Sequence, residues 1–226
     1  MQHRAVFYFL GLLLLAAAGF WPTYLAAPHV ERDWHVHLHG VAMFGWMGLL
    51  IAQAWLVRAR RLSTHRALGR VSFGLVPVIV VSTLLLAHYR MRPGLNAELL
   101  YFFYVQLALL AVFVASYALA IFNRRRPALH ARYMVCAALT LVDPIVARIL
   151  AFSIGTGFPA MQVATYAAVD AILLALIASD LRRQQAPRVY PAMLALFIAA
   201  QLPTFFLYRT AAWRAFVESF AALPLP

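Results

Sequence analysis

Residues 98–122 read ELLYFFYVQLALLAVFVASYALAIF, and the next five are NRRRP. Residues 99–122 form a run of 24 without a charge. A hydrocarbon core about 30 Å thick is crossed by about 20 apolar residues in helical form. A helix is the form that suits this place, because it satisfies the backbone polar groups of a single segment from within. The run therefore predicts a transmembrane helix, stopped at 123–127 by clustered arginine and by a proline that cannot continue it.

Working outward, six more stretches meet the same criterion: 5–25, 36–57, 68–88, 131–153, 160–180 and 190–208. Helix-ending residues separate them, among them Pro22, Pro28, Arg92-Pro93-Gly94, Arg126-Pro127, Pro187 and Pro191. The connections are short, so residues 1–226 read as a single polytopic transmembrane domain. The expected fold class is an all-α membrane protein, a bundle of seven transmembrane helices with 209–226 as an interfacial tail. In that tail Trp213, Phe216, Val217 and Phe220 recur at helical spacing. Arg4 and the small residues Ala26 and Ala27 give the first stretch some likeness to a signal peptide, whose removal would leave six spans. The length of the run and the presence of Pro28 favour a retained helix.

Composition agrees: 65% of the 226 residues are hydrophobic and 12% charged, against about 45–50% and about 25% in soluble domains. The net charge of +12 comes from 19 basic residues, all arginine. With the N-terminus cytoplasmic and seven alternating spans, thirteen arginines fall in cytoplasmic segments and five outside, with Arg148 inside a span. That is a positive-inside distribution, giving a cytoplasmic N-terminus and an outer C-terminus. The arginines form short clusters between apolar runs, with no basic stripe or stacking platform, which excludes nucleic acid and leaves the lipid bilayer as the expected partner. Cys136, the one cysteine, reads as a small buried core residue.

Charges inside a bilayer are expensive and mark sites by default. Asp143, Arg148 and Asp170 are the intramembrane charges; an ion pair of Arg148 with one aspartate and a proton or ion relay through the aspartates are the two readings. Gln53, Gln106, Gln162 and Gln201 fit hydrogen bonding between helices. Val41, Gly45, Gly48 and Ala52 form a small-residue stripe suited to close helix packing.

Six of the eight histidines fall at helix ends, with His29 in the first outer loop and His3 in the N-terminal tail. His65 opens the third span and His130 the fifth, both on the cytoplasmic side. Facing histidines from two helices are ligands for a b-type haem, with Arg66, Arg70 and Arg132 set to meet its propionates. Outside, the His35-Val36-His37-Leu38-His39 run places His35 and His39 at i, i+4, and His88, or Asp33 nearby, is a third candidate to complete a zinc or copper site. His3 and His29 read as interfacial anchors.

The segment Leu62-Ser63-Thr64-His65-Arg66-Ala67-Leu68-Gly69-Arg70 resembles the HR-x-LG-R signature of an uncharacterised bacterial family of polytopic membrane proteins. In that family a histidine and a downstream glutamine, here His39 and Gln53, precede the HR loop. A later signature is similar to His130-Ala131-Arg132-Tyr133-Met134 with Arg148. The resemblance covers about residues 35–150 and implies the bacterial plasma (inner) membrane, with no activity to carry over. More distantly, histidines at both membrane faces are similar to transmembrane b-type cytochromes, though residues 98–122 hold no histidine, which removes the outer partner of His39.

Three functions remain open. One is a haem protein for electron transfer or haem handling, with ligands His65 and His130 and a redox partner. The second is a transport protein with an outer histidine metal site and an Asp143/Asp170 relay. The third is a structural or assembly subunit without chemistry. A hydrolase, a nucleotide-binding protein and a covalent c-type haem lack their motifs, and whether the chain is an enzyme is left open.

Overall fold

The computed structural model of the chain describes residues 5–26, 32–155, 160–185 and 188–226. His3, Arg4, Ala27, Pro28, His29 and Pro187, which bear on the expectations above, lie outside the described residues.

Every regular element among the described residues is helical. Seven stretches are long and apolar enough to cross a membrane: Ala5–Leu25, Trp34–Arg58, Leu62–Met91, Ala97–Phe122, Pro127–Ser153, Ala160–Arg182 and Val189–Arg209. Each contains or matches one of the seven expected spans. The chain is therefore an all-α integral membrane protein.

Local chemistry sets the ends and breaks. Helix α1 (Ala5–Phe20) runs into a wider π turn, Trp21–Leu25, where Pro22 has no N–H to return to Ala18. Helix α2 (Trp34–Arg58) is capped by Asp33, whose Oδ1 accepts the His35 N–H at 3.0 Å. The third span begins earlier than hydropathy indicated. Residues Leu62–Gly69 already form a helix, α3, followed by a short break at Arg70 and Val71 and by α4 (Ser72–Met91). His65 and Arg66 thus sit within a helix instead of just before one. Helix α5 (Ala97–Phe122) is capped by Asn96, which accepts the Leu99 N–H at 2.8 Å. Pro127 opens α6 (Pro127–Leu139), where its missing N–H costs nothing. The fifth span breaks at Thr140 and Leu141 before α7 (Val142–Ile154), because Pro144 offers no N–H to the Thr140 carbonyl. Gly155, at φ 62°, ends α7 in the left-handed region that glycine enters without steric cost. Helix α8 (Ala160–Arg182) is continuous, and α9 (Val189–Gln201) gives way to tight turns at Leu202–Phe205 and Leu207–Arg209 beside Pro203. Helix α10 (Ala211–Ala221) follows.

The chain packs as two compact units, residues 1–94 with 221–226 and residues 95–220. In the first, α2 packs on α1, α3 and α4, burying Trp46, Leu50, Ile79 and Leu86. Gly40 lets the Tyr24 ring come close, since a Cβ there would stand 3.4 Å from its Cζ.

In the second unit α5 lies along α6, α7 against α8, and α9 against α5, α6 and α8. Tyr101, Val112, Cys136, Ile145, Val169, Leu173, Tyr190 and Phe197 fill its core. The tail expected to lie in the interface is a helix over Ala211–Ala221 whose aromatic face meets protein: Trp213, Phe216 and Phe220 pack on Phe103, and the Trp213 indole N–H donates to the Leu100 carbonyl at 3.0 Å.

Candidate functional site

Helix α8 presents Gln162, Thr165, Tyr166, Val169, Asp170 and Leu173 at i, i+3, i+4, i+7, i+8 and i+11, the spacing of one helical stripe. The break before Pro144 sets Asp143 in the first turn of α7, facing that stripe. Asp143 is 3% exposed. Its Oδ2 accepts hydrogen bonds from Gln162 Nε2 at 2.6 Å and Thr165 Oγ1 at 2.7 Å. Gln162 Nε2 also reaches Thr165 Oγ1 at 2.9 Å, and its Oε1 accepts the Tyr101 hydroxyl from α5. No hydrogen bond from the described residues reaches Asp143 Oδ1.

Asp143, Tyr166 and Gln201 line a cavity of about 10 Å³, with Val112, Val169 and Phe197 as apolar walls. A space of that size admits one water where polar groups surround it. Tyr166 Oη is hydrogen-bonded to Thr204 Oγ1 at 2.7 Å. Gln201 Nε2 donates to Asp170 Oδ1 at 3.1 Å. Gln201 thus bears on both intramembrane aspartates: Asp170 accepts from its amide, and Asp143 lines the same cavity.

The hydrogen bonds of the two aspartates and of Arg148 run to different groups. Asp143 is met by Gln162 and Thr165, and Asp170 by Gln201, while Arg148 Nη1 donates to the Pro144 carbonyl one turn back at 3.3 Å.

Arg132 also has a different role from the propionate contact expected of it. Its Nε and Nη2 bond Asp180 Oδ2 and Oδ1, and Nη2 reaches Gln185 Oε1 at 2.7 Å. A buried guanidinium needs a compensating carboxylate, and Asp180, at the end of the expected sixth span, supplies it. His130 Nδ1 is 2.9 Å from the Ala120 carbonyl. His65 belongs to the first unit and His130 to the second. Arg66 and Arg70 are exposed.

The outer histidines are not gathered as a metal site; among the described residues no three His, Cys, Asp or Glu side chains are so placed. His35 contacts Asp33 Oδ1 through Nδ1 and the Pro226 main-chain oxygen through Nε2 at 2.9 Å, stacked between Trp34 and Tyr89. His39 Nδ1 lies 3.4 Å from both Ser82 Oγ and Thr83 Oγ1. His88 is buried. His35 is thus spent on the helix cap and the tail, and His39 on hydroxyl groups of α4.

Sequence reasoning missed Tyr101, Thr165, Tyr166, Thr204 and Asp180. Residues 162–173 did carry a usable signal, since the polar members of that stretch fall on one stripe. No family model matches the chain, and no curated protein or solved structure matches it.

Proposed function

We propose that this integral membrane protein is a transport protein in which Asp143 takes up and returns a proton. The observation that supports this most directly is a buried carboxyl with one oxygen held by two neutral donors, beside a cavity of about 10 Å³ that it lines. A carboxylate at membrane depth is expensive unless it is neutralised or finds a partner. Gln162 and Thr165 hold Oδ2, so Oδ1 is the atom where the proton is gained and lost. A water in the cavity would link Oδ1 to Gln201, and Gln201 to Asp170. The titratable neighbours of Asp143 on the packed helices are Tyr101 and Tyr166. In this reading the N-terminus is cytoplasmic and the membrane is a bacterial plasma membrane, as the arginine distribution and the HR-x-LG-R resemblance support.

The test is proton flux into liposomes carrying the full chain and an internal pH dye, joined to an infrared titration of the carboxyl band. The wild type should collapse an imposed pH gradient, and Asp143→Asn should slow it at least tenfold and remove one titrating carboxyl. Equal flux and an unchanged carboxyl band in folded Asp143→Asn would overturn the reading.

A second reading, axial ligation of a b-type haem by His130, draws support from its Nδ1 contact with the Ala120 carbonyl, an orienting bond typical of ligand histidines. Arg132, committed to Asp180, does not fit a propionate. A reduced-minus-oxidised absorption spectrum tests this reading: a haem band lost in His130→Ala supports it, and a featureless spectrum overturns it.

A further inference from the structure

Tyr101 joins the Asp143 network at one remove, from a third helix. It stands near the start of α5, its ring set edge-on against Tyr208 with centroids 5.6 Å apart and planes at 77°. Its hydroxyl donates to Gln162 Oε1 on α8. Tyr101 and Gln162 are each 2% exposed, so bulk water does not compete for either group.

A primary amide carries an acceptor at one end and donors at the other, and the two ends exchange places when it turns over. A phenol donates better than it accepts, because its lone pair is shared with the ring. The Tyr101 hydroxyl therefore takes the acceptor end of Gln162. The donor end is left to face Asp143 Oδ2 at 2.6 Å and Thr165 Oγ1 at 2.9 Å. Turned over, the amide would set its oxygen against the carboxylate. Two acceptors would then meet, a contact that a protonated Asp143 relieves by donating its own hydrogen. One orientation thus suits the carboxylate and the other the carboxylic acid. Thr165 does not choose between them, since an aliphatic hydroxyl serves as donor and as acceptor.

We infer that Tyr101 is the positioning residue of this site: by holding the Gln162 amide donor-first toward Asp143, it sets the pH at which Asp143 takes up its proton. The inference rests on the reading of Asp143 as a proton site and adds what controls the uptake. The other titratable or charged groups about Asp143 are Tyr166 and Asp170 on α8 and Arg148 further along α7. Among the described residues the Gln162 side-chain amide bonds Tyr101, Asp143 and Thr165 alone. Tyr101 is thus the group outside the Asp143–Thr165 pair that can orient it.

The experiment uses the full chain in liposomes and reads two quantities across pH. One is the carboxyl band of Asp143 by infrared difference spectroscopy, identified by its loss in Asp143→Asn; the other is proton flux. In Tyr101→Phe the titration should move to higher pH by about one unit, the size of one hydrogen bond. The carboxyl band should also shift in frequency as its partner changes from N–H to C=O, and the flux profile should follow the titration. Tyr101→fluorotyrosine keeps the ring and donates more strongly. It should move the titration to lower pH, and it carries the test should Tyr101→Phe not fold. A titration and band unchanged in folded Tyr101→Phe would overturn the inference and leave Asp143 as a proton site. A shifted titration with no flux in the wild type would overturn the transport reading and uphold the positioning role of Tyr101. A wild type without a titrating carboxyl at Asp143 would overturn both.

Discussion

Arg132 of α6 and Asp180 of α8 meet in a two-pronged ion pair, Nε to Oδ2 at 2.8 Å and Nη2 to Oδ1 at 2.9 Å, with both side chains buried. The pair ties the first half of the fifth span to the end of the sixth. Removing one partner strands a buried charge. Asp180→Ala should therefore lose about 3–5 kcal/mol, read as a fall in melting temperature in detergent. Arg132→Met with Asp180→Leu should recover much of that loss, because no unpaired charge is left.

Thr165 gives Asp143 one of its two hydrogen bonds. Thr165→Val keeps the shape and deletes the donor, so about 1–3 kcal/mol should be lost. Thr165→Ser keeps the hydroxyl and should keep the Asp143 contact. A melting series of the three proteins checks both expectations, and equal melting of wild type and Thr165→Val would count against the network.

Leu173 and Leu174 are adjacent on α8 but 0% and 55% exposed. Leu173→Ala leaves a cavity in the second unit and should cost about 2–5 kcal/mol. Leu174→Ala should change stability by less than about 0.5 kcal/mol. The difference reports packing, since a lipid-facing leucine finds contacts as apolar as those of the core. Denaturation of the two variants side by side is the measurement.

At the start of α2 the His35 backbone N–H, then its ring, hold the Asp33 carboxyl below its ordinary value of 3.8. A group depressed in the folded state gives its stabilisation fully above its unfolded value and loses it as pH falls through the folded one. The wild type should therefore show a step of destabilisation below about pH 4, smaller or absent in Asp33→Asn. Melting temperature recorded against pH in both proteins checks this.

The membrane class was legible in the sequence because a long uncharged run such as 99–122 is soluble in lipid and too apolar for water, and each of the seven expected spans lies in a helical stretch, the third and fifth with a short break. Boundaries were less legible. Residues 62–67 are too polar to register as a span, yet they are helical through α3. At the candidate site Asp143 and Asp170 stood out because charge in an apolar run is conspicuous. Of their partners, Gln162 and Gln201 were legible as groups for hydrogen bonding between helices, while Thr165 is ordinary in a helix until two helices face each other.

By itself the sequence determined how much of the chain belongs in lipid, where the charge collects and where proline interrupts a helix. These are local properties, set by the transfer cost of each residue and by missing N–H groups. Tertiary structure alone decided that Asp180 meets Arg132, that Gln162 and Thr165 meet Asp143, and that the α2 glycines face a groove. Such pairings depend on the rotation and depth of one helix against another, and many weak packing contacts summed over whole faces fix those.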